Sequence, residues 1–204
     1  MADLETHYGA ELAAPAVEKV DDAVFDPATA SAFAPNERVR FSGQMTMQAI
    51  HDDNALLLRI RGPVPPQGFM PGVQIYIDPT PDRSGALQLN IPQLSKEQDP
   101  LRDFVQEGVG AEGDWAAWFA RDLKPSQYKD LPVNWKWGRT VTDGIYEVDV
   151  WVSKDSLRQA IGGEPLPRHL GFQVYQWIAP WSLSLTWRGR IDPATYGTLE
   201  LVSP

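Results

Sequence analysis

A two-residue alternation of apolar and polar side chains, in short runs cut by turn residues, constrains this chain more than any other feature. It is clearest where Tyr146, Val148, Val150 and Val152 alternate with Glu147, Asp149 and Trp151. Side chains that share a face at every second position are what a half-buried strand needs; a helix scatters them around its axis. The rhythm begins near Arg38, with Val39, Phe41 and Gly43, then Met45, Met47 and Ala49. A cluster at His51-Asp52-Asp53-Asn54 precedes the apolar run Ala55 to Arg61, which predicts a hairpin over Ala49 to Gly62. Val73 to Asp78 and Ala86 to Ile91 read as a strand and its return around a turn from Pro79 to Gly85. Asp143-Gly144 marks another hairpin, and Leu170 to Ile178, Leu183 to Arg188 and Tyr196 to Val202 follow as strands. About nine strands with little helix predict an all-β, antiparallel β-sandwich of jelly-roll-like form.

Two regions break the rhythm. Residues 1–37 read as a lead-in packed on a body over residues 38–204, with short helices at Ala10 to Val17 and from Asp26. Residues 93–131 read as a helical insertion. There Asp99 to Glu107 and Asp114 to Asp122 have helical spacing, and Trp115, Trp118 and Phe119 fall on one face. Ser153 to Ile161 predicts a further short helix, stopped by Gly162-Gly163.

Composition enters through what it excludes. The chain has no Cys, so disulfides, thiolate metal sites and a Cys nucleophile are out. It has 18 Lys and Arg against 27 Asp and Glu, net charge −9, and no basic block, which argues against nucleic-acid partners. No run approaches the ~18–20 apolar residues of a membrane span, and the first residues lack the pattern of a signal peptide. No nucleophile elbow, phosphate loop or dinucleotide fingerprint occurs, so the expectation is a protein that is not an enzyme. Glu147 and Asp149 share a strand face and resemble a glycosidase pair in spacing, yet their place on the polar side of a strand reads as solvated.

Three segments taken together carry a resemblance. They are Gly72-Val-Gln-Ile-Tyr-Ile-Asp-Pro-Thr-Pro-Asp-Arg-Ser-Gly85 with Leu87-Gln-Leu-Asn90, Asp143 to Leu157, and Leu170-Gly-Phe-Gln-Val174 with Trp187 and the closing run Asp192 to Val202. In this order they resemble the family 9 carbohydrate-binding modules, a β-sandwich family related more distantly to haem-binding DOMON-type domains. The resemblance implies a saccharide or polysaccharide ligand held between aromatic rings, in a module of a polysaccharide-processing system outside the cytoplasm (extracellular or periplasmic). Transferred position by position, it assigns stacking to Phe69 and Trp187, and hydrogen bonding to Gln74, Gln88 and Asn90. Gln74 stands where the family carries Glu. Trp177 and Trp181, around a Pro-containing loop, are second-choice contacts. Related modules carry structural calcium, which makes Asp78 and Asp82 its candidate ligands here.

The physical case for such a site is independent of family. A pyranose has an apolar C–H face for an aromatic ring and a hydroxyl rim for amides, and nothing in it needs to change protonation. Eight Trp serve either that purpose or the core; Trp135 and Trp137 share a strand face, so both point in or both out. A haem alternative would draw axial ligands from Met45, Met47 or Met70 with His51 or His169, although Met45 and Met47 also suit alternate core positions. A protein-interaction domain lacking the sugar site is the third reading.

Overall fold

In a computed structural model of the chain, the described residues are 12–17, 39–40, 46–64, 72–82, 84–91, 111–112, 116–120, 133–178, 183–186 and 196–202. They form β1 (Leu12–Pro15), β2 (Val39–Arg40), β3 (Thr46–His51), β4 (Ala55–Pro63), β5 (Gly72–Asp78), β6 (Gly85–Ile91), β7 (Ala111–Glu112) and β8 (Ala116–Ala120). These are followed by β9 (Trp135–Thr142), β10 (Ile145–Ser153), the helix α1 (Lys154–Ala160), β11 (His169–Ile178), β12 (Leu183–Thr186) and β13 (Gly197–Val202).

The strands make two sheets. The first runs β1-β13-β11-β5-β6-β8, and β12 continues the β13 edge of β11 from Tyr175 onward. The second runs β2-β3-β4-β10-β9-β7. Pairing is antiparallel except between β1 and β13. The inward faces meet in one core. Val73, Ile75, Ile77, Leu87, Leu89, Phe172 and Val174 of the first sheet pack with Leu56, Leu58, Ile60, Val148, Val150 and Val152 of the second, each at most 1% exposed. This is the β-sandwich that the alternation predicts, because each of these strands sends one parity of its residues into that shared core. Trp135 and Trp137 both point inward.

Local chemistry sets the turns. Asp143 (φ 52°) and Gly144 (φ 74°) both lie in the left-handed region, as a two-residue hairpin between right-twisted strands demands. In the β3–β4 turn the Asp52 carboxylate accepts from the N–H groups of Asn54 and Ala55, both at 2.7 Å. Ser153 caps α1 by accepting from Asp155 N–H. The helix ends where the N–H of Gly163 reaches the Arg158 carbonyl and that of Gly162 the Gln159 carbonyl, a Schellman closure using two positive-φ glycines.

Two sequence expectations are corrected. Leu12–Pro15, expected within a short helix, is a strand; Leu12 and Ala14 are fully buried, and Ala16 bridges to His51, so this segment ties the first sheet to the second. Ala116–Ala120, expected within a helix from Asp114 to Asp122, is also a strand, in register with β6 from Leu87↔Trp118 to Gly85↔Ala120. The open edge of β6 supplies hydrogen bonds to a short segment too small to sustain a helix alone, so tertiary pairing overrides the i, i+3, i+4 pattern. The short helix predicted near Ser153 to Ile161 is present as α1. The remaining helix expectations, at Asp99 to Glu107 and from Asp26, lie outside the described residues.

Candidate functional site

Strand alternation places a second set of side chains on the face of the first sheet turned away from the core. Ladder register arranges them in rows. Asn90 on β6, Gln74 on β5 and Tyr175 on β11 lie opposite one another, and Gln88, Tyr76 and Gln173 form the next row. The first row is half-buried, whereas Gln88 (6% exposed), Tyr76 (1%) and Gln173 (1%) are closely covered.

These groups are hydrogen-bonded in sequence. The Tyr76 hydroxyl donates to Gln74 Oε1 at 2.9 Å, and Gln74 Nε2 donates to Asn90 Oδ1 at 3.1 Å. Each bond fixes the orientation of the next amide, so the chain ends on the two N–H groups of Asn90, which meet no partner among the described residues. The Gln88 amide likewise makes no side-chain hydrogen bond among the described residues. Tyr76 packs on Tyr196, with ring centroids 5.8 Å apart and planes tilted 49°, and Tyr175 lies against this pair. Burial, and then the neighbouring Tyr175, push the Tyr76 phenol above its ordinary pKa, so it stays a neutral donor. The arrangement is a half-open surface of amides and phenolic rings, suited to orienting hydroxyl groups without proton transfer.

Three of the predicted contacts, Gln74, Gln88 and Asn90, therefore share one face. Phe69, Trp181 and Trp187 lie outside the described residues. Trp177 is placed through its backbone, opposite Gly72 and Ser184 and two residues beyond Tyr175 on β11. Tyr76, Gln173 and Tyr175 are additions that the sequence reading missed. The alternation of Gly171, Gln173 and Tyr175 against Leu170, Phe172 and Val174 carried the signal for two of them.

The proposed calcium ligands are separated in role. Asp78 is fully buried, and its Oδ1 accepts from the Thr80 N–H at 2.8 Å and the Thr80 hydroxyl, which shapes the β5–β6 turn; Asp82 is exposed at that turn. No cluster of three or more His, Asp or Glu forms among the described residues.

The haem ligands are no better placed. Met47 is in the core. His51 Nδ1 lies 2.8 Å from Lys154 Nζ, and its Nε2 lies 3.2 Å from the Val202 carbonyl. Lysine can only donate, so Nδ1 accepts and the ring proton resides on Nε2; both nitrogens are engaged. His169 is half exposed, 3.9 Å from Glu200. Met45 and Met70 lie outside the described residues.

The outward face of the second sheet is different in kind. Asp149, expected to be solvated, is fully buried and accepts from Arg59 Nε at 2.7 Å and Nη2 at 2.6 Å. Alternation identifies the outward face but not whether that face is covered. Burial outweighs the guanidinium and raises the Asp149 pKa to about 6; burial pulls the Arg59 pKa down, but Asp149 and Glu147 together outweigh it and leave that pKa raised.

No protein-family profile matches the chain, and neither does any curated protein. Solved structures do. A family 9 carbohydrate-binding module from Caldicellulosiruptor kristjanssonii, in complex with cellotriose, aligns at TM-score 0.50 and 12% identity, covering 96% of this chain and 95% of the module. A protein from Bacteroides uniformis, suggested to bind carbohydrate, aligns at TM-score 0.55 and 11% identity, covering 95% of this chain and all of the other. Likeness over nearly the whole of both chains, joined to the two-sheet topology, identifies the fold: it is that of the family 9 carbohydrate-binding modules.

Proposed function

We propose that this protein binds saccharide without transforming it, on the outward face of the first sheet. The observation that carries the reading is the row Asn90–Gln74–Tyr175, whose amide donors are oriented by the Tyr76 hydroxyl from the neighbouring, buried row. Asn90, Gln74 and Gln88 hydrogen-bond the hydroxyl rim of a sugar, and Tyr175 offers its ring to the C–H face. Trp177, Trp181, Trp187 and Phe69 are the further stacking candidates. The module from Caldicellulosiruptor kristjanssonii has cellotriose bound, which makes a short β-glucan the first ligand to try. A saccharide-binding domain of this fold would serve a polysaccharide-processing system, in an extracellular or periplasmic setting. Among the described residues no helix is long and apolar enough to cross a membrane.

The test is calorimetric titration with glucose and cellotriose, with Trp emission as a second readout. The expected result is saturable binding that Gln74→Ala and Asn90→Ala each weaken by about tenfold, as loss of a buried-rim hydrogen bond implies. Trp187→Ala is expected to remove the emission change. A folded protein silent to a broad glycan panel would overturn the reading in favour of a protein-interaction domain.

A further inference from the structure

At one end of the sandwich, away from the amide row, α1 and the ends of β3 and β13 enclose a cleft of about 530 Å3. Its walls include His51, Lys154, Arg158 and Arg168, with Leu166 and Leu201 supplying apolar surface, and no acidic side chain lines it among the described residues. That is unusual in a chain of net charge −9.

The key group is Lys154. It is 6% exposed, and its ammonium donates to His51 Nδ1 at 2.8 Å and to the Asp52 carbonyl at 2.5 Å. No carboxylate lies within ion-pair distance of it among the described residues. The direct contacts of this nearly buried ammonium are a neutral imidazole and a carbonyl, and the Asp52 and Asp53 carboxylates act on it only through space, so its charge is compensated in part and without an ion pair. The third N–H of Lys154 remains for a ligand. Burial, followed by the nearby Arg158, lowers the Lys154 pKa, and burial followed by Lys154 lowers that of His51. Both shifts would be relieved by an anion in the cleft. At the rim, Arg158 binds Asp155 at 2.6 Å and the Asp53 carbonyl at 2.9 Å, and Arg168 binds Glu200; these acids stand outside the wall and hold the guanidinium groups in place.

We propose that this cleft is an oxyanion site, in which Lys154 at the base and Arg158 and Arg168 at the rim take a carboxylate, sulfate or phosphate group. The volume admits a body of sugar size behind that group. The inference does not depend on the saccharide reading, because the two sites lie on different parts of the sandwich.

Titrations with sodium sulfate, sodium phosphate, sodium glucuronate and glucose, each against sodium chloride at matched ionic strength, test it. Saturable binding of at least one oxyanion is expected, weakened about tenfold or more in the Arg158→Ala/Arg168→Ala double variant and in Lys154→Met. Should Lys154→Met fail to fold, the double variant, at more exposed positions, carries the test. Glucuronate binding without sulfate or phosphate binding supports a sugar-borne carboxylate as the source. Sulfate or phosphate binding supports recognition of the oxyanion alone. If no oxyanion saturates beyond chloride, or if the double variant binds them unchanged, the proposal fails. The glucose arm reports on the amide row, so failure at either site is read separately.

Discussion

The two sheets treat their outward faces in opposite ways. On the first, neutral amides and phenols form a directed chain that ends in unengaged Asn90 donors. On the second, Arg59 and Asp149 close on each other with two bonds, next to a small apolar cluster of Ile50, Ala55 and Leu57 flanked by Val17 and Trp151. A bidentate ion pair satisfies the most demanding groups of both partners and leaves little for a ligand to gain. An amide chain satisfies its inner members and keeps donors at its open end. The difference separates polar groups that hold structure together from polar groups that recognise something else.

The comparison breaks most visibly at Asp149. Replacing it with Ala strands a nearly buried guanidinium, and the expected cost is about 3–5 kcal/mol in chemical denaturation. The saccharide response of whatever fraction remains folded should be unchanged. The next effect is a pH dependence. Asp149 has a pKa raised from 3.8 to about 6 in the folded chain, so between those values the folded form retains a proton that the unfolded form has released. Its contribution is full below the unfolded value and is lost as pH rises through the folded value. Denaturation at several pH values, for the protein and for Asp149→Asn, should show this slope in the first and not in the second.

On the first face the stability effects are smaller. Tyr76→Phe removes the hydroxyl that orients Gln74 and should cost about 1 kcal/mol. Because it also frees the Gln74 amide to rotate, saccharide affinity should fall although Tyr76 is itself buried. Asn90→Ala, at the open end of the chain, should change stability by no more than about 0.5 kcal/mol while weakening binding about tenfold. A stability loss at Asn90 as large as that at Asp149 would erase the distinction between the faces.

Much of this division was legible in the chain. The hairpins β3–β4, β5–β6 and β9–β10 announce themselves through alternation and turn chemistry, which act locally. Gln74, Gln88 and Asn90 could be brought together from the resemblance and from strand register. What escaped depends on partners distant in sequence. Ala-Ala-Trp-Phe-Ala at residues 116–120 has no alternation of its own and becomes a strand by pairing with β6. Leu-Ala-Ala-Pro at residues 12–15 has good helix formers and becomes a strand beside β13. Asp149 sits on a face correctly read as outward, yet no period tells whether an outward face is covered. Tyr175 carries no turn or motif signal, and only its parity on β11, shared with Gln173, puts it on this face.

Side-chain amide NMR during titration with cellotriose distinguishes the binding face from the structural one. Saturable shifts are expected in the side-chain amides of Gln74, Gln88 and Asn90, with the Arg59 Nε–H and Trp151 Nε1–H signals unmoved. A folded protein in which the three amides stay still, or in which the Arg59 and Trp151 signals move instead, would contradict that division of the faces.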